Sequence, residues 1–235
     1  MEFTAVDGVV RREPLDRCWA VRFEEAAPAR SFPSFKGQRN FPGWWWSSTV
    51  GRHIGYESWL ERDHLMMLDF DSRVVGIASQ PFWLHWSDVD SVRRHLPDYF
   101  ARRADGSGLV VDVRADDRIE PSDAQAFAVT AAACAEVGWQ FRRVGALDSV
   151  LAANVRWLSR YRHPRCARRE DLAAALVEVF AEPTALFWGA ERVGDRLAVL
   201  PVLYHLLWRQ VLTVDLGAAL LGSSSLVWRG ERGLR

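Results

Sequence analysis

Acidic residues fall at three points of the chain that a few structural elements can bring together. Asp98 precedes, and Asp112 follows, a turn at residues 104–108 whose glycines supply the positive φ angles of a tight reversal. Antiparallel pairing of the flanking segments then places the two aspartates near one another. Glu61, on a helix predicted upstream, would supply a third carboxylate. Three carboxylates on rigid elements suit Mg²⁺, which can activate a water molecule and neutralise the charge that grows on a phosphodiester.

A basic residue accompanies these acids. Asp112 and Arg114 lie two residues apart on the strand predicted over 109–114, so both side chains project to one face, while the neighbouring valines point to the core. A hairpin with one solvated face is the alternative interpretation of this polar pair. Glu57 lies four residues before Glu61 on a neighbouring helix face and is its rival for the helix carboxylate.

Apolar periodicity and turn residues predict an α/β fold. Helices are predicted over residues 56–70, 123–137, 149–161, 170–180, 201–212 and 215–221. Strands are predicted over residues 18–23, 73–80, 82–86, 109–114, 140–144 and 226–229. We expect an N-terminal arm at 1–50, a core of mixed sheet and helices at 51–164, and a small winged-helix-like helical domain at 165–235. Pro201 is placed in the first turn of its helix, where proline is tolerated.

Composition limits the function classes. Hydrophobic residues make up 49% of the 235 residues, which excludes wholesale disorder. The formal net charge is zero, so binding to nucleic acid would depend on local patches rather than on bulk charge. Three scattered cysteines favour a reducing, cytoplasmic compartment over a disulfide framework. The longest apolar stretch is interrupted by charged residues, so no membrane span is expected.

The order of the acidic motifs resembles a known nuclease layout. Glu61, the Pro97-Asp98 pair and Asp112-x-Arg114 follow the pattern of the PD-(D/E)xK superfamily. The stretches SWLERDHLMMLDFDSRVVGIASQP, PDYF, LVVDVR and VGWQFRRVGALDSVLAANVRWLSRYR resemble TnsA-type endonuclease subunits of heteromeric transposases, over roughly residues 57–162. The resemblance implies a restriction-endonuclease-like core that uses Mg²⁺, with Mn²⁺ as a substitute, to cut the 5′ ends of a transposon. It also implies three partners, which are double-stranded DNA, a DDE-type transposase that joins the 3′ ends and an AAA+ ATPase regulator. The expected location is the bacterial cytoplasm, at the nucleoid during transposition.

Carried over residue by residue, the resemblance makes Glu61, Asp98 and Asp112 the metal ligands and puts Arg114 at the catalytic lysine. Two departures matter. Aspartate stands at 112 where the family has Glu or Gln, and arginine, unlike lysine, cannot give up its proton. Two alternatives therefore stay open, namely a degenerate nuclease fold that links transposase and regulator, and a stand-alone restriction or repair nuclease.

DNA contacts are expected from basic residues around this core. The segment 142–169 holds eight arginines against one acid, and its arginines would neutralise backbone phosphates. The predicted DNA-contacting residues are Arg142, Arg143, Arg156, Arg160, Gln80, Lys36 and Arg39, where Gln80 matches a glutamine that recurs in the family. Tryptophans at 44–46 either pack an arm over the domain or serve base stacking or a subunit contact. His95 is predicted to be a strand or loop residue rather than a base, and His163 with Cys166 lacks a second ligand pair for a metal.

Overall fold

The computed structural model describes residues 1–32, 41–88 and 91–231. The chain is a mixed α/β protein that divides into two compact units, Met1–Ala146 and Leu147–Arg235. The expected boundary was near residue 165, so the segment 147–164 falls in the second unit and not with the core. Among the described residues, none of the helices combines the length and apolar character needed to cross a membrane. Lys36 and Arg39 lie outside the described residues.

The first unit is built on strands and two long helices. Its elements are β1 Glu2–Thr4, β2 Val10–Arg12, β3 Gly43–Trp46, β4 His53–Tyr56, α1 Trp59–Phe70, β5 Val74–Ser79, β6 Leu84–Asp88, β7 Ser91–His95, β8 Tyr99–Arg103, β9 Gly108–Val113, α2 Pro121–Glu136 and β10 Gln140–Val144. The central sheet has the order β10-β9-β8-β5, in which β9 and β10 are parallel and the other pairs antiparallel. The expectation of a mixed sheet flanked by helices is confirmed.

The two faces of this sheet carry separate cores because successive strand residues point to opposite sides. Leu65 and Leu68 of α1 pack with alternate residues of the strands, such as Tyr99 and Val111. The opposite set of strand residues, including Phe100 and Val110, packs with α2 through Cys134 and with Trp139. The strands β6 and β7 form a separate antiparallel hairpin.

The described residues 1–32 and 41–50 are part of this unit and do not form an arm. Met1, Phe3 and Cys18 are buried in the same cluster as Phe100, and the Phe23 ring packs on the Phe100 ring at a centroid distance of 5.2 Å. The strand predicted over 18–23 is wrong, because 3₁₀ turns at Leu15–Arg17 and Phe23–Glu25 occupy this region. The short turns let Phe23 enter the core without a strand partner.

The tryptophans at 44–46 alternate on the β3–β4 hairpin. Trp44 is exposed, whereas the Trp45 indole Nε1 donates a 2.9 Å hydrogen bond to the buried carboxylate of Asp69. The same carboxylate accepts from the Ser47 hydroxyl at 2.7 Å and from the Thr49 amide at 2.9 Å. Packing therefore accounts for Trp45, and Asp69 fixes the turn that follows β3.

The second unit is mainly helical. Its elements are α3 Ser149–Leu158, α4 Glu170–Val179, β11 Thr184–Ala185, α5 Leu186–Val193, α6 Arg196–Trp208, β12 Leu212–Val214 and β13 Leu226–Arg229. The three strands form a sheet in the order β11-β13-β12. Helix α6 is its core element, and residues 202–208 are all buried.

Two predictions for this unit are wrong. Helix α6 begins at Arg196 behind the N-cap Asp195, whose carboxylate accepts from the Leu197 amide, so Pro201 lies inside the helix and not in its first turn. The segment 215–221 is a turn and loop, not a helix. This loop is held by Asn154 of α3, whose side chain makes three hydrogen bonds of 2.8 Å to loop backbone groups.

Candidate active site

The β8–β9 hairpin brings the two aspartates together. Asp105 accepts hydrogen bonds from the amide and hydroxyl of Ser107, and Gly106 takes a φ of 85°, so the turn closes tightly. Tyr99 faces Val111 in the resulting register. One position further along, the Asp98 amide lies 3.4 Å from Asp112 Oδ1, and Asp98 Oδ2 accepts a 2.7 Å hydrogen bond from the Val113 amide.

Glu61 lies at the start of α1, where it belongs to the helix cap. Its amide donates to the Ser58 hydroxyl at 3.1 Å, and its carboxylate accepts from the Ser58 hydroxyl at 2.9 Å and from the Glu57 amide at 2.8 Å. This reciprocal arrangement satisfies amides that would otherwise lack partners at the helix N-terminus. Both carboxylate oxygens of Glu61 therefore already accept hydrogen bonds from the protein.

Glu61 and Asp112 are close enough to Asp98 for their charges to oppose its ionisation. Burial raises the pKa of Asp98 well above its usual value, and the charges of Glu61 and Asp112 raise it further. Burial also raises the pKa of Glu61, although the hydrogen bonds from Glu57 and Ser58 oppose this. The cluster is therefore an electrostatically unfavourable group of acids, which a divalent cation would stabilise.

Asp112 has a partner that the sequence did not indicate. Its Oδ2 lies 2.8 Å from Nε2 of His95, the last residue of β7, and the His95 ring packs edge-on against Phe127 of α2 at 6.0 Å. Asp112 is only 2% exposed. The prediction that His95 is a strand or loop residue is confirmed, since it ends β7, but its contact with Asp112 joins strands of two different sheets, which no local pattern reports.

Arg114 pairs with an acid outside the cluster. Its guanidinium is half exposed and forms a 2.8 Å ion pair with Asp123, at the start of α2. At the position that the resemblance assigns to a catalytic lysine, the chain thus has Arg114, which is ion-paired with the carboxylate of Asp123. Reaching a phosphate beside Asp98 would require Arg114 to leave this ion pair.

Glu57 and Arg30 form an ion pair next to Glu61. The Glu57 carboxylate pairs with the Arg30 guanidinium at 2.6 Å, and its second oxygen is buried with no hydrogen-bond partner among the described residues. The charge of Glu57 also adds to the raised pKa of Asp98. Arg30 lies 27 residues before Glu57, so the sequence carried no signal for this pair.

Gln80 supports the backbone of the site. Its amide donates to the Asp98 carbonyl at 2.8 Å, and it takes a left-handed φ of 47°, a strained conformation for a residue other than glycine. The residue is 3% exposed, so the prediction of a DNA contact is corrected: its side chain offers no surface to a duplex. A structural role, the other role that the resemblance implied, fits this burial.

The predicted arginine contacts belong to different units. Arg142 and Arg143 lie on β10, where Arg143 is in register with Asp112 and its guanidinium binds Asp116. Arg156 and Arg160 lie in the second unit, and both are exposed. The guanidinium of Arg160 stacks over the Trp157 ring at 4.8 Å. The predicted DNA-contacting arginines thus lie on elements of both units.

The donor set suits Mg²⁺, which prefers carboxylate oxygens. Within residues 1–32, 41–88 and 91–231, however, no group of three His, Cys, Asp or Glu side chains is arranged to hold a metal ion. The reason is visible in the contacts, since Glu61 turns to its helix cap and Asp112 to His95. Binding of the metal ion would require Glu61 to leave the cap.

Comparison with protein-family models and with curated proteins found no match for this chain.

Proposed function

We propose that the chain is a Mg²⁺-dependent DNA endonuclease subunit of a heteromeric transposase, with a restriction-endonuclease-like core in its first unit. The observation that carries the proposal is the acid cluster at the end of the β8–β9 hairpin, in which the Asp98 amide lies 3.4 Å from Asp112 Oδ1 and burial, with the charges of Glu61 and Asp112, raises the pKa of Asp98. Such repulsion between acids reduces stability and is typical of functional sites, where a bound cation would relieve it. The resemblance to TnsA-type subunits supplies the substrate, the 5′ ends of a transposon.

In this mechanism Glu61, once released from the helix cap, would hold the ion together with Asp98 and Asp112. The bound ion supplies charge neutralisation at the phosphate and an ionised water at neutral pH. The Val113 amide fixes one oxygen of Asp98, and His95 fixes one oxygen of Asp112, so the remaining oxygens have defined directions. Arg114 leaves the half-exposed ion pair with Asp123 and contacts a phosphate oxygen, as arginine does in planar, bidentate geometry.

The second unit supports a winged-helix assignment. Three helices, with β11 between α4 and α5, are followed by the β12–β13 hairpin, and β11 pairs with β13. The last of these helices, α6, is buried by other elements of its own unit, including α3 and α4, and so is not free to enter a DNA groove. We therefore assign end recognition to the DDE-type transposase and contact with the AAA+ ATPase regulator to this unit. The complex would act on chromosomal DNA in the bacterial cytoplasm.

Metal binding and strand cleavage test the proposal. Calorimetric titration of the full chain with Mn²⁺ is expected to show binding, and the chain is expected to nick supercoiled plasmid DNA in Mn²⁺. Asp98→Asn should abolish both. The matched control is Asp105→Asn, in the exposed turn of the same hairpin, which should leave both unchanged. Equal nicking by wild type and Asp98→Asn would contradict the assignment of the site.

A catalytically degenerate scaffold is the second candidate. It is favoured by the two contacts that occupy the expected catalytic groups, the hydrogen bond of His95 with Asp112 and the ion pair of Arg114 with Asp123. In that case Mn²⁺ titration gives no heat of binding, and neither protein nicks DNA. The titration therefore separates the two candidates before any transposase partner is added.

A further inference from the structure

Large aromatic side chains stand exposed beside the acid cluster. Trp59 is the first residue of α1, two positions from Glu57 and two from Glu61, and it is 51% exposed. Phe41 is 61% exposed and packs on it. Exposed apolar surface of this size in one place is typical of a binding site rather than of ordinary surface composition.

The rings of this group meet at shallow angles. Phe41 and Trp59 are stacked at 6.1 Å with an interplanar angle of 29°, and the Tyr56 ring lies 6.3 Å from Trp59 and is tilted by 34°. We call Phe41, Tyr56 and Trp59 the aromatic row. In the core, by contrast, the Phe23 ring meets its neighbours Phe3 and Trp139 edge-on, at 83° and 85°. Exposed aromatic rings that are not packed edge-on offer faces on which nucleobases can stack.

Two arginines accompany the row, each paired with a neighbouring acid. The Arg62 guanidinium lies 4.4 Å from the Trp59 ring centre and pairs with Asp63, and the Arg30 guanidinium pairs with Glu57, the residue after Tyr56. The row is also next to the acid cluster, because the amide of Glu57, the residue after Tyr56, donates a hydrogen bond to the Glu61 carboxylate. A nucleic-acid strand bound here has bases at the rings, phosphates at the arginines and its backbone next to the acids.

We propose that the aromatic row binds unpaired bases of a DNA strand next to the phosphate that is cut. The inference rests on the proposed function and deepens it, because it makes the substrate DNA with a locally unpaired or splayed segment at the cleavage position. A protein partner would use the same aromatic and arginine side chains. The nucleic acid is favoured because the rings are stacked and lie beside the acids that would cut the strand.

The test measures affinity without cleavage. Fluorescence anisotropy measures the binding of the full chain to a labelled 12-nucleotide single strand of DNA in the presence of EDTA. Trp59→Ala should weaken binding about tenfold or more, since stacking of one base is worth on the order of 1–3 kcal/mol. Trp59→Phe keeps a flat ring and should retain affinity to within about threefold. The matched control is Trp188→Ala, in α5, because Trp188 is 58% exposed and also carries an arginine, Arg192, at 4.8 Å.

Each outcome decides the inference. Unchanged affinity of Trp59→Ala, including the case in which the row contacts a protein instead, overturns it. An equal loss in Trp188→Ala, or an equal loss for duplex DNA, overturns it as well. Failure of the nuclease proposal is recognised separately, because Asp98→Asn changes Mn²⁺ binding and cleavage while binding of the single strand in EDTA persists. Thermal melting of the Trp59 variants shows that the fold is intact, as expected for an exposed helix-start residue.

Discussion

Replacing Asp98 with asparagine removes one charge from the acid cluster and leaves its geometry nearly unchanged. The asparagine carbonyl can still accept the hydrogen bond that the Val113 amide donates at 2.7 Å. What is lost is the ionised carboxylate, whose pKa is raised by burial and then by the charges of Glu61 and Asp112. In the absence of metal, we expect the variant to be more stable than the wild type at neutral pH.

The sign follows from proton binding. An acid with a raised pKa in the folded state holds its proton more tightly than the unfolded chain does, so stability falls as pH rises between the two pKa values. The penalty on the wild type is absent below pH about 4, where Asp98 is protonated in both states. It grows as pH rises above this value and is complete once pH exceeds the folded pKa.

Relief of about 1 kcal/mol of repulsion would raise the melting temperature of a chain of this size by about 2–4 °C, and we expect a gain of at least this size for Asp98→Asn at pH 8. Thermal denaturation of both proteins in EDTA, at pH values from 4 to 8, measures the effect. Asp105→Asn is the control, because the hydrogen bonds from Ser107 lower the pKa of Asp105, so its replacement should give no gain.

The reasoning is refuted if Asp98→Asn is less stable than the wild type at pH 8, or if its gain is the same at pH 4. Either result would mean that the carboxylate of Asp98 is stabilised by its surroundings and not opposed by its neighbours. Added Mn²⁺ provides a further check, since it should stabilise the wild type selectively and reduce the gap.

Three further changes test separate parts of the structure. Asp69→Ala leaves several buried donors without an acceptor and should lower the free energy of unfolding by about 3 kcal/mol in urea titration; a loss below about 1 kcal/mol would show that the network is dispensable. Asn154→Ala should cost about 2 kcal/mol and speed proteolytic cleavage within residues 215–225, and an unchanged digestion pattern would contradict the role of Asn154 as the holder of that loop. Arg114→Ala should slow plasmid nicking about 100-fold, whereas Asp123→Asn, which removes the competing carboxylate, should not slow it; the reverse order would place Arg114 outside the mechanism.

The sequence predicted well the contacts and elements that depend on residues close together in the chain. The turn residues at 104–108 and the alternation after them place Asp98 beside Asp112, because a two-stranded register depends only on residues close in sequence. Strands β5 and β10 and helix α2 lie within a few residues of their predicted ranges for the same reason. Helix α1 begins at Trp59, three residues later than predicted, because Ser58 is its N-cap.

Contacts between distant segments could not be predicted in this way. The pairs Arg30–Glu57 and His95–Asp112 join residues 27 and 17 positions apart, and no periodicity records such pairing. The sequence did not predict that Phe23 is buried, because a short 3₁₀ turn has no hydrophobic repeat. The start of α6 was misplaced because a proline inside a helix has the same sequence signature as a proline that begins one. The resemblance to TnsA-type subunits stays a prediction.

The identity of the third metal ligand is the point on which the resemblance and the contacts differ. The resemblance assigns it to Asp112, but that carboxylate is 2% exposed and bound to His95. Glu57 has a buried oxygen without a partner among the described residues, and its charge also opposes ionisation of Asp98. We expect Asp112 to be the ligand, because it shares with Asp98 the rigid end of one hairpin, whereas the Glu57 carboxylate is committed to Arg30. Calorimetric titration with Mn²⁺ should thus show a loss of affinity of about tenfold or more for Asp112→Asn and little change for Glu57→Gln. The opposite ranking would move the ion to the Glu57, Glu61 and Asp98 side of the cluster, next to the aromatic row.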